Sequence, residues 1–202
     1  MALFNYDDLL NKSNKSTTAS SNFSYDYLVE NSMFKSEGAI DVNDYKEFDI
    51  FLSHSYSDRK VIPGLKSELE ALGYSVYVDW IVDKLMSREN VTPKTAEILQ
   101  KRMKQSKSLF YATSENTVNS KWMPWELGYF DGLKDKRVAI LPIKKNNNFS
   151  ENFKGQEYLG LYYYVDISML QNSTKKALFI NESSNKYANY DRWLNGEEPY
   201  VR

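Results

Sequence analysis

FDIFLSHSYSD, residues 48–58, is the stretch on which the fold turns. Phe48 to Ser53 form a short, nearly continuous apolar run, and the polar residues His54 to Asp58 close it abruptly. A strand with one face in water alternates apolar and polar positions, whereas a parallel strand covered on both faces reads as an unbroken run. The run is therefore expected to be a buried parallel strand with a loop at its C-terminal end. Just downstream, Val61, Leu65, Leu69 and Leu72 recur at helical spacing, and Gly73 is placed to end that helix in a left-handed cap.

Further out, the same alternation repeats. SVYVDW at 75–80 reads as a second strand, and Thr92-Pro93 as a helix N-cap followed by proline at the first helical position, with Ala96, Leu99 and Met103 on one face. SLFYAT at 108–113 is a third strand. Asn119 or Ser120 is placed to cap a helix running to about Leu133; RVAILPI at 137–143 and YYYVDI at 162–167 are the fourth and fifth strands. The alternation predicts a parallel sheet wrapped by helices through right-handed crossovers, with any ligand crevice beyond the C-terminal strand ends. At the flanks, NKSNKSTTASSN (11–22) reads as a linker or disordered segment. Phe23, Tyr25, Tyr27 and Phe34 suggest a docking segment between 23 and 45, and Ser173 to Phe179 an amphipathic helix before a tail holding Trp193. The expected organisation is an N-terminal extension (1–45), one domain (46–167) and a C-terminal extension (168–202).

Composition excludes several function classes. The 202 residues carry 26 Lys+Arg against 27 Asp+Glu, a net charge of −1 that gives no general pull toward nucleic acid or anionic membrane. No apolar run approaches the roughly 18–20 residues of a membrane span, and MALFNYDDLLNKSNKS is too acidic and broken for a secretory signal, so a cytoplasmic protein is expected. The absence of cysteine removes disulfides, thiolate metal sites and thiol nucleophiles. The eight glycines form neither G-x-G-x-x-G nor G-x-x-x-x-G-K-[ST], which argues against a Rossmann dehydrogenase and a P-loop NTPase.

The pattern brings the remaining chemistry to one rim: Ser53, His54, Ser55, Tyr56 and Asp58 after the first strand, Asp79 and Trp80 ending the second, Ser114, Glu115 and Asn116 after the third, and Ser120, Trp122 and Glu126 opening the next helix. Trp122 and Glu126, four apart, share a helix face. Two readings of Glu126 stand side by side: an acid favoured by the helix dipole near its N-terminus, or a carboxylate partly desolvated by an indole and available for acid/base or cation-stabilising work. His54, the only histidine, reads as a hydrogen-bonded loop residue or a contact to phosphate or ribose before it reads as an acid/base catalyst. Asp79 and Asp83 read as solvated carboxylates rather than a Mg²⁺ site, and Lys101, Arg102, Lys104 and Lys107 as a solvated helix end.

Together, FDIFLSHSYSD (48–58), GYSVYVDW (73–80) and SKWMPWELGYFDG (120–132) resemble the TIR (Toll/interleukin-1 receptor) domain family, in particular its bacterial members, over about residues 46–167. The last stretch holds the family's W-x-x-x-E arrangement, Trp122 to Glu126. The resemblance implies a flavodoxin-like five-stranded parallel sheet and, in many bacterial members, cleavage of NAD⁺ at the nicotinamide–ribose bond. NAD⁺ is then a substrate, and neither cofactor nor metal is expected. Carried over by position, Glu126 matches the catalytic glutamate, and Ser53, His54 and Tyr56 fall in a loop that helps form the nucleotide pocket. Asp79 and Trp80 open the segment matching the BB loop, about 81–94, which gates the site and contacts neighbouring domains; Trp80 or Trp122 is suited to stack on a base. Bacterial members often act in antiphage defence, as in Thoeris-like systems, making an ADP-ribose-derived or cyclic signal for a separate effector. Two other classes remain open at this stage: a non-catalytic TIR interaction module assembling through residues 81–94, and a nucleoside deoxyribosyltransferase-like enzyme.

Overall fold

The structure, a computed structural model, describes residues 3–19, 47–82, 92–114, 117, 120–145, 157–171 and 173–201. The elements in chain order are β1 (Phe4–Asn5), α1 (Tyr6–Ala19), β2 (Phe48–Ser53), α2 (Ile62–Ala71), β3 (Val76–Tyr77), α3 (Asp79–Val82), α4 (Pro93–Lys104), β4 (Ser106–Thr113), α5 (Trp122–Lys134), β5 (Val138–Lys144), β6 (Tyr163–Met169), β7 (Lys176–Ser183), β8 (Lys186–Asn189), α6 (Tyr190–Leu194) and β9 (Tyr200–Val201), with 3₁₀ turns at Tyr56–Asp58 and Glu157–Leu161. One mixed sheet runs β3-β2-β4-β5-β6-β7-β8-β9, with β1 pairing β5 in parallel.

The first five strands of that order are parallel. They are the expected five, in the flavodoxin-like sequence second-first-third-fourth-fifth. Continuous apolar runs form these strands because helices cover both faces. On one face Ile50, Leu52, Phe110, Ala139 and Leu141 meet Val61, Ile62, Leu65 and Leu69 around α2, together with Leu9, Tyr190 and Trp193. On the other, Phe51, Leu109, Tyr111 and Ile140 meet Ile98, Leu99 and Met103 of α4 and Met123, Leu127 and Phe130 of α5. Burying a side chain of this size contributes about 1.5–3 kcal/mol. The helix ends follow local chemistry: Gly73 takes φ 98° after α2, and Thr92 and Thr95 form a reciprocal capping box at the start of α4. At α5, Ser120 Oγ accepts from the Met123 amide at 3.4 Å, while Asn119 lies outside the described residues.

Four expectations change. The second strand is short, Val76–Tyr77; Asp79 and Trp80 begin the helical turn α3 instead of ending the strand. The polar run from Asn11 is helical as far as Ala19, not a linker. What holds it is tertiary: α1 lies against α2, Ser13 Oγ accepts from the Gly64 amide at 2.7 Å, Lys12 pairs with Glu68, and a Cβ at Gly64 would collide with the Leu9 carbonyl. Residues 173–179 do not form a helix; β7 occupies Lys176–Ser183, antiparallel to β6 and β8, with Ala177 to Asn181 buried. The sheet therefore extends past five strands: β7, β8 and β9 add an antiparallel wing, and α6 returns Tyr190 to the sheet, where its hydroxyl donates to the Asp49 carbonyl (3.1 Å) and shares a hydrogen bond with Ser108 Oγ (2.8 Å). Phe23, Tyr25, Tyr27 and Phe34 lie outside the described residues.

Candidate active site

From β2 the chain crosses to β3 on one side of it and later returns as β4 on the other. The topological switch point thus falls between the C-terminal ends of β2 and β4, where open α/β sheets leave a crevice for ligands. Ser53, the last residue of β2, is in register there with Tyr111 of β4.

Glu126, in the first half of α5, is fully buried, and its Oε2 accepts a 2.6 Å hydrogen bond from Ser53 Oγ, also fully buried. A hydroxyl donating at this distance, between two buried side chains, fixes the orientation of the carboxyl group. Tyr111 lies in the same neighbourhood: its hydroxyl is held above the usual tyrosine range, by burial first, then by Tyr158 of the 3₁₀ turn and by the Glu126 carboxylate. Tyr111 and Tyr158 were not singled out in the sequence, because strand register brings the first to the rim and the 3₁₀ turn after β5 carries the second.

The next residue, His54, faces a different set of partners. Its Nδ1 lies 3.0 Å from the Leu52 carbonyl and its Nε2 2.9 Å from the Trp80 indole Nε1. Asp79 Oδ1 is 3.8 Å from the same Nε2. His54 is fully buried and Asp79 nearly so, whereas Trp80 is half-buried. Consecutive residues at one strand end thus hold a carboxylate from α5 and an indole from α3.

The loop is braced from the other side. Ser55 Oγ accepts from the Ser57 amide, and buried Asp58 accepts from Ser114 Oγ at 2.6 Å, tying the loop after β2 to the end of β4. Sequence reasoning placed Asp58 and Ser114 on this rim without foreseeing that they bond each other. Tyr56 is half-buried and covers the Arg59 guanidinium, 4.6 Å from its ring centroid. Trp122 is half-buried and meets Trp125 edge-on at 5.3 Å; Trp125 in turn stacks on Tyr129 at 5.7 Å. Trp122, Trp125 and Tyr129 thus form an aromatic row along α5, half-buried and packed against the apolar cluster the helix covers, beside the fully buried Glu126.

Among the described residues no group of three or more His, Asp or Glu is arranged to hold a metal ion, and no helix is long and apolar enough to cross a membrane. Asp83, Glu115, Asn116 and most of the 81–94 segment (83–91) lie outside the described residues. What the site offers is a buried carboxylate held by a hydroxyl at the C-terminal strand ends of the switch point, with the Tyr111 phenol close enough to feel its charge. Such a group stabilises positive charge as it develops on a bound molecule, without metal or thiol.

Comparison with known proteins agrees with this architecture. Residues 50–178 match the TIR domain. The chain is 50% identical, over 96% of its length and 98% of the relative's, to a Bacillus cereus (strain MSX-D12) protein named "Probable 3' cyclic ADP-D-ribose synthase ThsB'". It is also 34% identical over 113 residues, 52% of this chain and 30% of the relative, to a Cytobacillus dafuensis protein named "Putative cyclic ADP-D-ribose synthase TIR2". With a parallel sheet of the expected strand order, the family match over most of that sheet and a relative aligned almost end to end, the chain belongs to the TIR domain family.

Proposed function

We propose that this protein is an NAD⁺-cleaving TIR enzyme that breaks the nicotinamide–ribose bond and closes the remaining ADP-ribose unit into a cyclic ADP-ribose-type signal for bacterial antiphage defence. The observation that carries the reading is the Glu126 carboxylate, fully buried at the switch point and held by Ser53. The synthase names of two relatives support the cyclic product over simple hydrolysis.

The chemistry follows from charge. Nicotinamide is cationic in NAD⁺ and leaves as a neutral molecule, taking the bonding electron pair, so positive charge passes to the ribose as an oxocarbenium-like centre. Glu126 faces that centre and stabilises it electrostatically, a contribution of about 2.7–4 kcal/mol, or 10²–10³ in rate, by analogy with loss of one such stabiliser. Trp80 and Trp122 supply ring faces for nicotinamide or adenine, and Tyr56 and Asp79 complete the nucleotide pocket. Closure then requires an internal nucleophile of the ADP-ribose unit to reach the anomeric carbon before water does. The proton of that nucleophile is taken up by the Glu126 carboxylate and is released to solvent once the product has left. A buried carboxylate favours that outcome, because water is scarce where the cation forms.

The signal is proposed to act on a separate effector protein, in the cytoplasm, and the enzyme to self-associate through residues 81–94. The test is mass spectrometry of purified protein incubated with NAD⁺, alone and with infected-cell lysate. Nicotinamide together with a product one water lighter than ADP-ribose is expected. ADP-ribose alone would make the enzyme a hydrolase, and no nicotinamide under either condition would leave an interaction module as the better reading.

A further inference from the structure

We propose that His54 is a positioning residue: it touches no substrate and transfers no proton, but fixes the Trp80 indole as the platform for a base of the dinucleotide. This rests on the NAD⁺-cleaving reading above.

The tautomer is dictated by the partners. The Leu52 carbonyl can only accept, so Nδ1, 3.0 Å away, carries the hydrogen and donates it. In the neutral ring Nε2 then bears the lone pair, and the Trp80 indole, which can only donate, meets it at 2.9 Å. Both ring nitrogens are thus committed, and the ring is fully buried. Asp79 Oδ1, at 3.8 Å from Nε2, lies beyond hydrogen-bond reach while the indole occupies that nitrogen. An acid/base histidine needs one nitrogen open toward the reacting atoms, and this one has neither.

The indole is the member of the pair that reaches the rim: Trp80 is half-buried, and its ring meets His54 edge-on at 65°. The N–H is anchored in the protein and the ring packs partly on the apolar cluster around α2, so it is the half-exposed remainder of the indole that is offered for stacking. Because Ser53 holds Glu126 and His54 holds Trp80, adjacent residues at the end of β2 anchor both the carboxylate and the indole. Sites of this kind depend on such support, since looseness of about 1 Å in a positioning group costs binding and rate.

The test uses His54→Phe, which keeps a ring but removes the acceptor, His54→Gln, whose carbonyl oxygen replaces Nε2 as acceptor, Trp80→Phe, and the His54→Phe/Trp80→Phe double variant. Loss of one neutral hydrogen bond sets the expected size, a rise in KM for NAD⁺ of about three- to tenfold in His54→Phe, with kcat within about twofold and an unchanged pH profile of kcat. His54→Gln is expected to restore KM, and His54→Phe to add nothing on the Trp80→Phe background. Thermal unfolding of wild type and the same four variants reads the contact without substrate: His54→Phe is expected to lower Tm in the wild-type background and much less beside Trp80→Phe. A lost limb in the pH profile would make His54 an acid/base catalyst and overturn the proposal. So would multiplicative effects on KM, or independent effects on Tm. If wild type fails to turn over NAD⁺ both alone and with infected-cell lysate while the Tm effects remain coupled, the His54–Trp80 lock stands and the functional reading falls.

Discussion

Replacing Ser53 by alanine removes one oxygen atom from the centre of the site. The lost bond is the 2.6 Å contact to Glu126 Oε2, between two side chains with no exposure to solvent. A hydrogen bond to a charged group contributes about 1.5–3 kcal/mol net. For a carboxylate that acts as charge develops, the loss falls on the transition state, so kcat for nicotinamide release is expected to drop about 10- to 150-fold with KM little changed. The stability cost is of similar size, because Glu126 is left with one donor fewer. Against a total of about 5–15 kcal/mol the chain remains folded. The assay is nicotinamide release under saturating NAD⁺ alongside a thermal melt, with Ser53→Thr as the control that keeps the hydroxyl. A Ser53→Ala protein whose melt shifts but whose kcat stays within threefold of wild type would refute the reasoning, since the bond would then stabilise the fold without positioning the carboxylate.

Two further predictions concern the scaffold. Gly64→Ala is expected to destabilise the protein by about 1–3 kcal/mol in urea unfolding, because its Cβ would enter the Leu9 carbonyl and push α1 off α2; an unchanged midpoint would mean that α1 is not docked as described. Burial pushes the Asp166 carboxyl up to about 7, from an ordinary 3.8, so the native state holds the proton more tightly than the unfolded chain. The Asp166 contribution to stability is therefore greatest below about pH 4 and is lost as pH rises through 7, by up to ~4 kcal/mol at about 1.4 kcal/mol per pKa unit. Asp166→Asn is expected to stabilise at pH 8 and to change little at pH 4; equal effects at both would show that the carboxyl titrates normally.

How far the sequence carried depended on whether the signal was local. The run Phe48 to Ser53, the stripe Val61, Leu65 and Leu69, and the cap at Thr92 each report their own structure, and each is seen where the sequence placed it. Ala177 to Ile180 is a short apolar block, which periodicity cannot divide between helix and strand; pairing with β6 on one side and β8 on the other makes it a strand. The helix from Tyr6 to Ala19 lacks a wide apolar stripe and is secured by Ser13 and Gly64, 51 residues apart, a contact that no local pattern encodes. The same holds at the site. Trp122 and Glu126 were legible as one helix face, but the bond from Glu126 to Ser53 spans 73 residues, and only the closing of the sheet reveals that the two meet. The partners of His54 were equally hidden: a lone histidine after a strand says nothing of its tautomer until Leu52 and Trp80 are placed beside it.

The role assigned to the Glu126 carboxylate is to drive cleavage of the nicotinamide–ribose bond of NAD⁺. Its most direct test is the rate of nicotinamide release by wild type and Glu126→Gln at high protein concentration, with circular dichroism to establish equal folding and mass spectrometry to identify the companion product. A fall of at least about 10²-fold is expected in the variant, with a cyclic product from wild type. Equal release by the two folded proteins would contradict it, and the carboxylate would then be a structural acid beneath α5.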